Sequence, residues 1–279
     1  LKAPKEDRKK IIKTTKANLS PIFVIAAKSL KSFKRIHRLY SGRKPFLRFK
    51  DDDGNDNIIW QIDDKKDINL ICSQISKCKL VIADGHHRFE ISYDYFRKNK
   101  DRFKDLNYIL AYITDCQKGL SILPTHRIIK IHDKDNDFFR KLEKYFNITE
   151  VTQNSLSKKL KYARRFCMGI YRKERFYFLK LKSSAILDKI PNRLYRELDT
   201  YVFHKLVLPL FTIDEEFEYS HNIKTAKKIA GKGKTAFIMR KVPLKVVLKM
   251  SSKGFRLPQK STYFYPKVLS GGIIRRFTR

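Results

Sequence analysis

With 279 residues, 42% of them hydrophobic, the chain can bury one large core or two modest ones, which excludes a disordered tail or a staple-dependent miniature module. Lys and Arg number 63 against 28 Asp and Glu, a formal charge of +35, so polyanions and acidic surfaces are the partners to expect. The positive residues run along the whole chain rather than forming an arm, a pattern that fits general compositional drift as well as an evolved polyanion groove.

Cys72, Cys78, Cys116 and Cys167 are scattered without a CxxC pair, which reads as reduced thiols in a cytoplasmic protein rather than a disulfide framework. No apolar run approaches the length of a membrane span, and no signal-peptide pattern opens the chain. The first residue is Leu1, and the expectation is that an upstream piece is missing.

In chain order, "APKEDRKKII" predicts a helix with Pro4 in its first turn, closed by Asn18, Ser20 and Pro21 ahead of a buried strand "IFVIAA". "FLRFKDDDGNDNIIWQI" reads as a hairpin, "DINLICSQISKCK" as a helix and "LVIA" as a short core strand. A helix runs from the next junction to about Lys98. "LNYILAYITDC" predicts a long strand, and "LSILPTHRIIKI" a strand interrupted by Pro124. "DKDNDFFRKLEKYF" is a helix capped by Asp135 or Asn136, and "SLSKKLKYARRF" a second helix. A hairpin turns at Lys173 and Glu174. "NRLYRELDTYVFHKLVLPLF", with Leu194, Leu198, Val202, Phe203 and Leu206 apolar, predicts the most regular helix of the chain. "NIKTAKKIA" is a short helix, "KTAFIMRK" a strand, and "PLKVVLKMSSKG" a helix stopped by Gly254. This alternation predicts an α/β, mixed α+β fold, divided into 1–150 and 151–279, with the Lys-rich stretch from Asn154 to Lys173 as the softest point.

The chemistry concentrates in "IADGHHRFE". A strand that empties into a helix leaves backbone N–H groups unpaired at the helix start, and these favour anions. Gly85 lets the backbone approach a ligand, Arg88 adds a fork matched to phosphate oxygens, and His86 and His87 add donors. Asp84 can cap the helix or hold Mg²⁺ beside a polyphosphate, with Glu90 one turn further on. The alternative is an ordinary Asp-Gly turn with Arg88 paired to Glu90 on the surface. A zinc site is disfavoured, because helical zinc ligands space their histidines at i, i+4 and these are adjacent.

Two further clusters repeat the ingredients. Thr125, His126 and Arg127 follow Pro124, either as phosphate donors or as a plain β-bulge. In "LPQKSTYFYPK", Gln259, Lys260, Ser261 and Thr262 supply donors and Tyr263 an aromatic face, suited to a nucleotide or to a packed turn. "GKGKTAF" ends like a phosphate loop, but Lys228 stands where that motif needs its first glycine, so Gly231 and Gly233 are expected to end a helix instead.

Together, "IADGHHRFE", "ILPTHR" and "LPQKSTYFYPK", preceded by "PKEDRKKII…ANLSPIF", resemble the signatures of a bacterial and archaeal family, domain of unknown function 1015, over essentially the whole chain. Leu257, Phe89 and Gly272 depart from the family's usual Met, Tyr and Leu, and none is among the polar groups. The resemblance implies a strand-rich upstream segment ending in a His-Glu pair, the place where a catalytic base would sit. The DGHHR element is similar to the phosphate-gripping motif of the ParB/sulfiredoxin superfamily, which includes free-serine kinases. This implies a ParB/sulfiredoxin-like mixed sheet and nucleotide phosphate binding by Gly85, His86, His87 and Arg88. The family's gene neighbourhood near serine biosynthesis implies an ATP- or ADP-dependent kinase for a small hydroxyl substrate such as serine. In that reading Asp84, His86, His87, Arg88 and Glu90 are the catalytic set, Asp84 the Mg²⁺ partner, and His126, Arg127, Gln259, Lys260, Ser261, Thr262 and Tyr263 further nucleotide contacts. The other readings are a non-enzymatic nucleotide-responsive or nucleic-acid-binding protein and an inactive truncated remnant.

Overall fold

The computed structural model describes residues 2–52, 54–116, 119–163, 166–214, 216–231, 233–258 and 260–278, with side chains from Glu6 onward. The fold is mixed α+β. Two compact units divide the chain, one of Leu1–Leu120 with Pro266–Arg279 and one of Ser121–Tyr265.

The first unit opens with helix α1 (Lys2–Thr15), strands β1 (Ala17–Asn18) and β2 (Ile22–Ala26), and helix α2 (Lys31–Tyr40). The hairpin β3 (Leu47–Lys50) and β4 (Asp56–Ile59) follows, then helix α3 (Lys65–Ile75), β5 (Leu80–Asp84), α4 (His86–Asn99) and β6 (Ala111–Asp115). β2 is central in a three-stranded sheet, antiparallel to β5 and parallel to β6, and its five residues are all buried. That position explains a run of five apolar residues: a strand covered on both faces has no use for alternation. Helix α4 lays Ile91 and Tyr95 against Ile12 of α1, with Leu106, Phe103 and Phe277 closing this core.

The second unit begins with β7 (Ser121–Leu123) and β8 (His126–Ile129), separated at Pro124 as the sequence suggests. It continues through α5 (Asp135–Glu143), β9 (Phe146–Val151), α6 (Gln153–Tyr162), β10 (Cys167–Arg172) and β11 (Arg175–Leu181). Then come the short α7 (Asp199–Val202), β12 (Glu218–Ser220), α8 (Ile223–Ala230), β13 (Thr235–Ile238), α9 (Leu244–Ser252) and β14 (Tyr263–Tyr265). Six strands form one antiparallel sheet in the order β12-β8-β13-β10-β11-β9. Side chains alternate across it: Ile129 and Phe237 join one core, Ile128 and Ala236 the other. The chain then returns to the first unit, where β15 (Arg275–Arg276) pairs with β1.

Four expectations differ from this architecture. The boundary placed after residue 150 falls inside β9, which pairs with β11 over six residues, and the Lys-rich stretch beyond it is α6 and β10 on the same sheet. The long strand over "LNYILAYITDC" shortens to Ala111–Asp115. The regular helix over "NRLYRELDTYVFHKLVLPLF" is instead a 3₁₀ turn at Tyr195–Glu197, one α turn at Asp199–Val202, a π turn at Phe203–Val207 and a second 3₁₀ turn at Leu208–Leu210. Leu198 is extended there, with φ −104° and ψ 105°, so the helix cannot run through it. Neither Asp135 nor Asn136 caps α5; its N-cap is Lys134, and the Asp135 carboxylate turns to Arg172 and Lys173. Gly231 does end α8, and Gly233, at φ 76°, leads into β13.

Candidate functional site

In the first unit β5 delivers Asp84 to the turn, and Gly85 takes φ 91° and ψ 22° as the N-cap of α4. Only glycine sits at this φ without strain. No side chain caps the start of α4, so its first amides and the positive end of its dipole are left for another acceptor. His86 and His87 are both exposed on this first turn, and His87 Nδ1 lies 3.4 Å from Glu90 Oε2.

Arg88 does something other than reach outward. Its guanidinium folds back over Gly85, so close that a Cβ there would stand 2.9 Å from Nε and Nη2. Nη2 donates to Asp84 Oδ2 at 3.1 Å and Nη1 to the Pro21 carbonyl. Arg88 thus ties the end of β5 to the entry of β2. Burial, with repulsion from Arg8, pulls its pKa below the usual guanidinium value, against the attraction of Asp84. Lys267, from the last residues of the YFYPK segment, brings a second cation 3.8 Å from Asp84 Oδ2. Lys267 lies within a quoted motif, yet nothing in its spacing pointed to this contact. Beside Arg88 a cleft of about 420 Å³ is lined by Arg8, Asn18, Ser20, Ser92 and Ser270, and Ser20 Oγ bonds Ser270 Oγ at 2.7 Å. These hydroxyls carry no sequence motif, so folding alone revealed them.

In the second unit the two remaining motifs meet. Arg127 is fully buried on β8, donating through Nη1 to the Thr125 carbonyl, through Nη2 to the Lys260 carbonyl at 2.9 Å, and through Nε to His204 Nε2 at 3.2 Å. Burial pulls its pKa down to about 10. As placed, Arg127 anchors the Lys260 turn, where Lys260 itself has φ 57° and hangs its Nζ over Tyr219. Ser261 Oγ shares a buried hydrogen bond of 2.9 Å with Thr200 Oγ1, and the Tyr263 ring lies against His221. Thr262 is half-buried next to them, and Gln259 lies outside the described residues. His126 points to the opposite face of β8 from Arg127: its Nδ1 accepts the Met239 N–H at 3.1 Å, and burial pulls its pKa down to about 4.

Among the described residues no group of three or more His, Cys, Asp or Glu is arranged to hold a metal ion, and no helix is long and apolar enough to cross a membrane. The four cysteines are free thiols, and burial raises Cys167 to about 11.

A family model described as protein of unknown function (DUF1015) matches residues 1–201. The chain belongs to the DUF1015 family. No curated protein matches it. Among solved structures it is similar to a free serine kinase mutant in complex with ADP, with 12% identity and a TM-score of 0.45 over 95% of this chain and 80% of that one. A conserved hypothetical protein from Pyrococcus furiosus matches at 14% identity and a TM-score of 0.43, covering 97% and 86% of the two chains. SbnI with a C-terminal truncation, from Staphylococcus aureus, matches at 10% identity and a TM-score of 0.47, covering 96% and 77%. In this DUF1015 chain the DGHHR junction lies in the first unit, with its imidazoles facing solvent and its arginine turned inward.

Proposed function

We propose that the start of α4 binds the phosphate chain of ATP or ADP, and that the protein is a phosphotransferase for a small hydroxyl substrate. One observation carries the reading. A 14-residue helix begins at a left-handed glycine with no side-chain cap, and its first turn presents His86 and His87 to solvent. Unpaired amides and the helix dipole favour an anion there, and the imidazoles add donors at the same place. Phosphoryl transfer asks chiefly for positioning and charge neutralisation, which these groups supply.

In this reading Arg88 is a positioning residue: it fixes Asp84 and the glycine turn through the bonds already described. Asp84 remains half-exposed, and Mg²⁺ characteristically takes one or two carboxylates plus substrate phosphates, so Asp84 is the residue that would hold it. Bound there, the ion would neutralise charge developing on the phosphates. Glu90 holds His87 in place through the Nδ1 contact, leaving Nε2 for a phosphate oxygen. The adjoining cleft of hydroxyls is the space for the acceptor.

The test is calorimetry with ATP and ADP at 0.15 M salt, then ³¹P NMR of ATP turnover with serine. Gly85→Ala forces a β-carbon into the Arg88 guanidinium and should cost about tenfold or more in nucleotide affinity. His87→Ala should cost about tenfold, the worth of one charge-assisted bond. Unchanged affinity in both variants sinks the site. The net charge of +35 favours a second reading, a nucleic-acid binder. That reading requires DNA affinity that outlasts a rise from 50 to 200 mM salt, where merely electrostatic binding falls by about 10³-fold or more.

A further inference from the structure

The second unit contains a cavity of about 480 Å³ whose walls belong to that unit alone. Leu160, Ile223, Ile238, Val242, Pro124 and Pro243 give it an apolar lining. Its polar lining comes from His126, Asn222, Lys161, Lys241 and the Asp199–Arg240 pair.

The polar groups differ in what they have left to give. Asp199 takes two bonds of 2.6 Å from Arg240 Nε and Nη2, and Arg240 Nη1 goes to the Ala163 carbonyl, so this pair is spent on itself. Glu197, the other carboxylate at the wall, is held by Lys249. His126 is 2% exposed and receives the Met239 N–H at Nδ1, which places the imidazole proton on Nε2. Among the described residues that Nε2–H has no acceptor, although His126 lines the cavity. That Nε2–H, open to the cavity, can donate to a ligand oxygen placed there. Lys161 and Lys241 have no carboxylate partner among the described residues. The start of α8, capped by Asn222, also lines the cavity and carries the positive end of the helix dipole.

We propose that this cavity binds a small organic monocarboxylate. Its carboxylate meets His126 Nε2–H and the two-lysine rim, and its aliphatic or aromatic body lies along Leu160, Ile223, Ile238 and Val242. A single negative charge suits a rim of two exposed lysines and a neutral imidazole. A phosphate dianion would call on a guanidinium, and the one present is committed to Asp199. The cavity has room for an acid of this size within the usual range for small-molecule sites.

The chain has three methionines, of which Met239 lines the cavity while Met168 and Met250 are fully buried elsewhere. The full chain labelled with ¹³C at the methionine methyls is titrated with octanoate and phenylacetate, and with octanamide and phenylacetamide as neutral counterparts. The Met239 methyl resonance should shift saturably with the acids while Met168 and Met250 stay still. The amides should bind at least about tenfold more weakly. Reversing both rim charges, Lys161→Glu with Lys241→Glu, should weaken the acids about tenfold or more, while Lys98→Glu with Lys100→Glu at the C-terminal end of α4 lowers the net charge equally and leaves affinity in place. A static Met239 signal, amides binding as well as acids, equal effects of the two charge reversals, or displacement of octanoate by equimolar inorganic phosphate each overturns the proposal. None of these outcomes touches phosphate binding at α4, which calorimetry with Gly85→Ala reads separately.

Discussion

Arg127 is a full positive charge without water, and its bonds run to two carbonyls and an imidazole rather than to a carboxylate. Since Arg127 Nε donates to His204 Nε2, that imidazole must be neutral, with its proton on Nδ1. Burial and the neighbouring guanidinium pull His204 from 6.5 down to about 4, as burial does for His126. A folded-state pKa below the unfolded one means that the unfolded chain binds more protons between these values. Stability is therefore fully present above pH 6.5 and is lost as pH falls toward 4. The melting temperature should fall between pH 7.5 and 5, and His204→Gln should flatten that slope; a wild-type melting temperature constant over this interval would refute the neutral-imidazole assignment. Asp199 and Arg240 make the complementary case. Burial works against the guanidinium charge, yet the hydrogen bonds and charge of Asp199 hold it above its ordinary value. Asp199→Ala leaves a mostly buried guanidinium unpaired and should cost about 3–5 kcal/mol in urea unfolding.

Among elements, β10 packs tightly against its neighbours. At Gly169 an added β-carbon would stand 2.7 and 2.9 Å from the Leu156 methyls and 3.1 Å from Ile238 Cβ, because α6 sits directly on the strand. Gly169→Ala should destabilise by about 1–3 kcal/mol through overpacking, and adding Leu156→Ala should return part of that loss. Additive losses in the double variant would show that α6 does not press on β10. The segment around Asp199 makes a different point about elements. Leu194, Leu198, Val202, Phe203 and Leu206 are all buried, as their spacing indicates, yet the backbone breaks into 3₁₀, α and π turns. Periodicity reports which side chains leave water; it does not guarantee that one hydrogen-bond pattern runs unbroken beneath them. Asp199 sits in the middle of that segment, held by Arg240 from 41 residues away in sequence. Helix α2, with Ser32, Ile36 and Tyr40 buried at a spacing of four, carries a helical period in its sequence.

At the scale of the molecule, the second unit is continuous and owns both faces of its six-stranded sheet, so it has what an independent fold requires. Residues 121–265 expressed alone should unfold in one cooperative transition. The first unit is closed by its distant end: β15 pairs with β1, Arg275 bridges Asp105 at 2.8 Å, and Phe277 packs on Tyr95 and Phe103. Removing residues 266–279 should therefore lower the stability of the first unit and take Lys267 from Asp84. A truncated chain with an unchanged first transition in calorimetry would contradict this.

The sequence by itself determined the mixed α+β class, the strand-glycine-helix junction at Asp84–Arg88 and the two hairpins, because each depends on neighbours within a few residues. It also determined that Gly231 ends a helix and opens no phosphate loop. Only the tertiary structure decided that Arg88 turns inward, that Arg127 holds the Lys260 turn, that Lys267 returns to Asp84, and where the two units divide. Those outcomes rest on carbonyls, carboxylates and sheet partners far away in the chain, and spacing along a sequence carries no information about which distant group a long, charged side chain will meet.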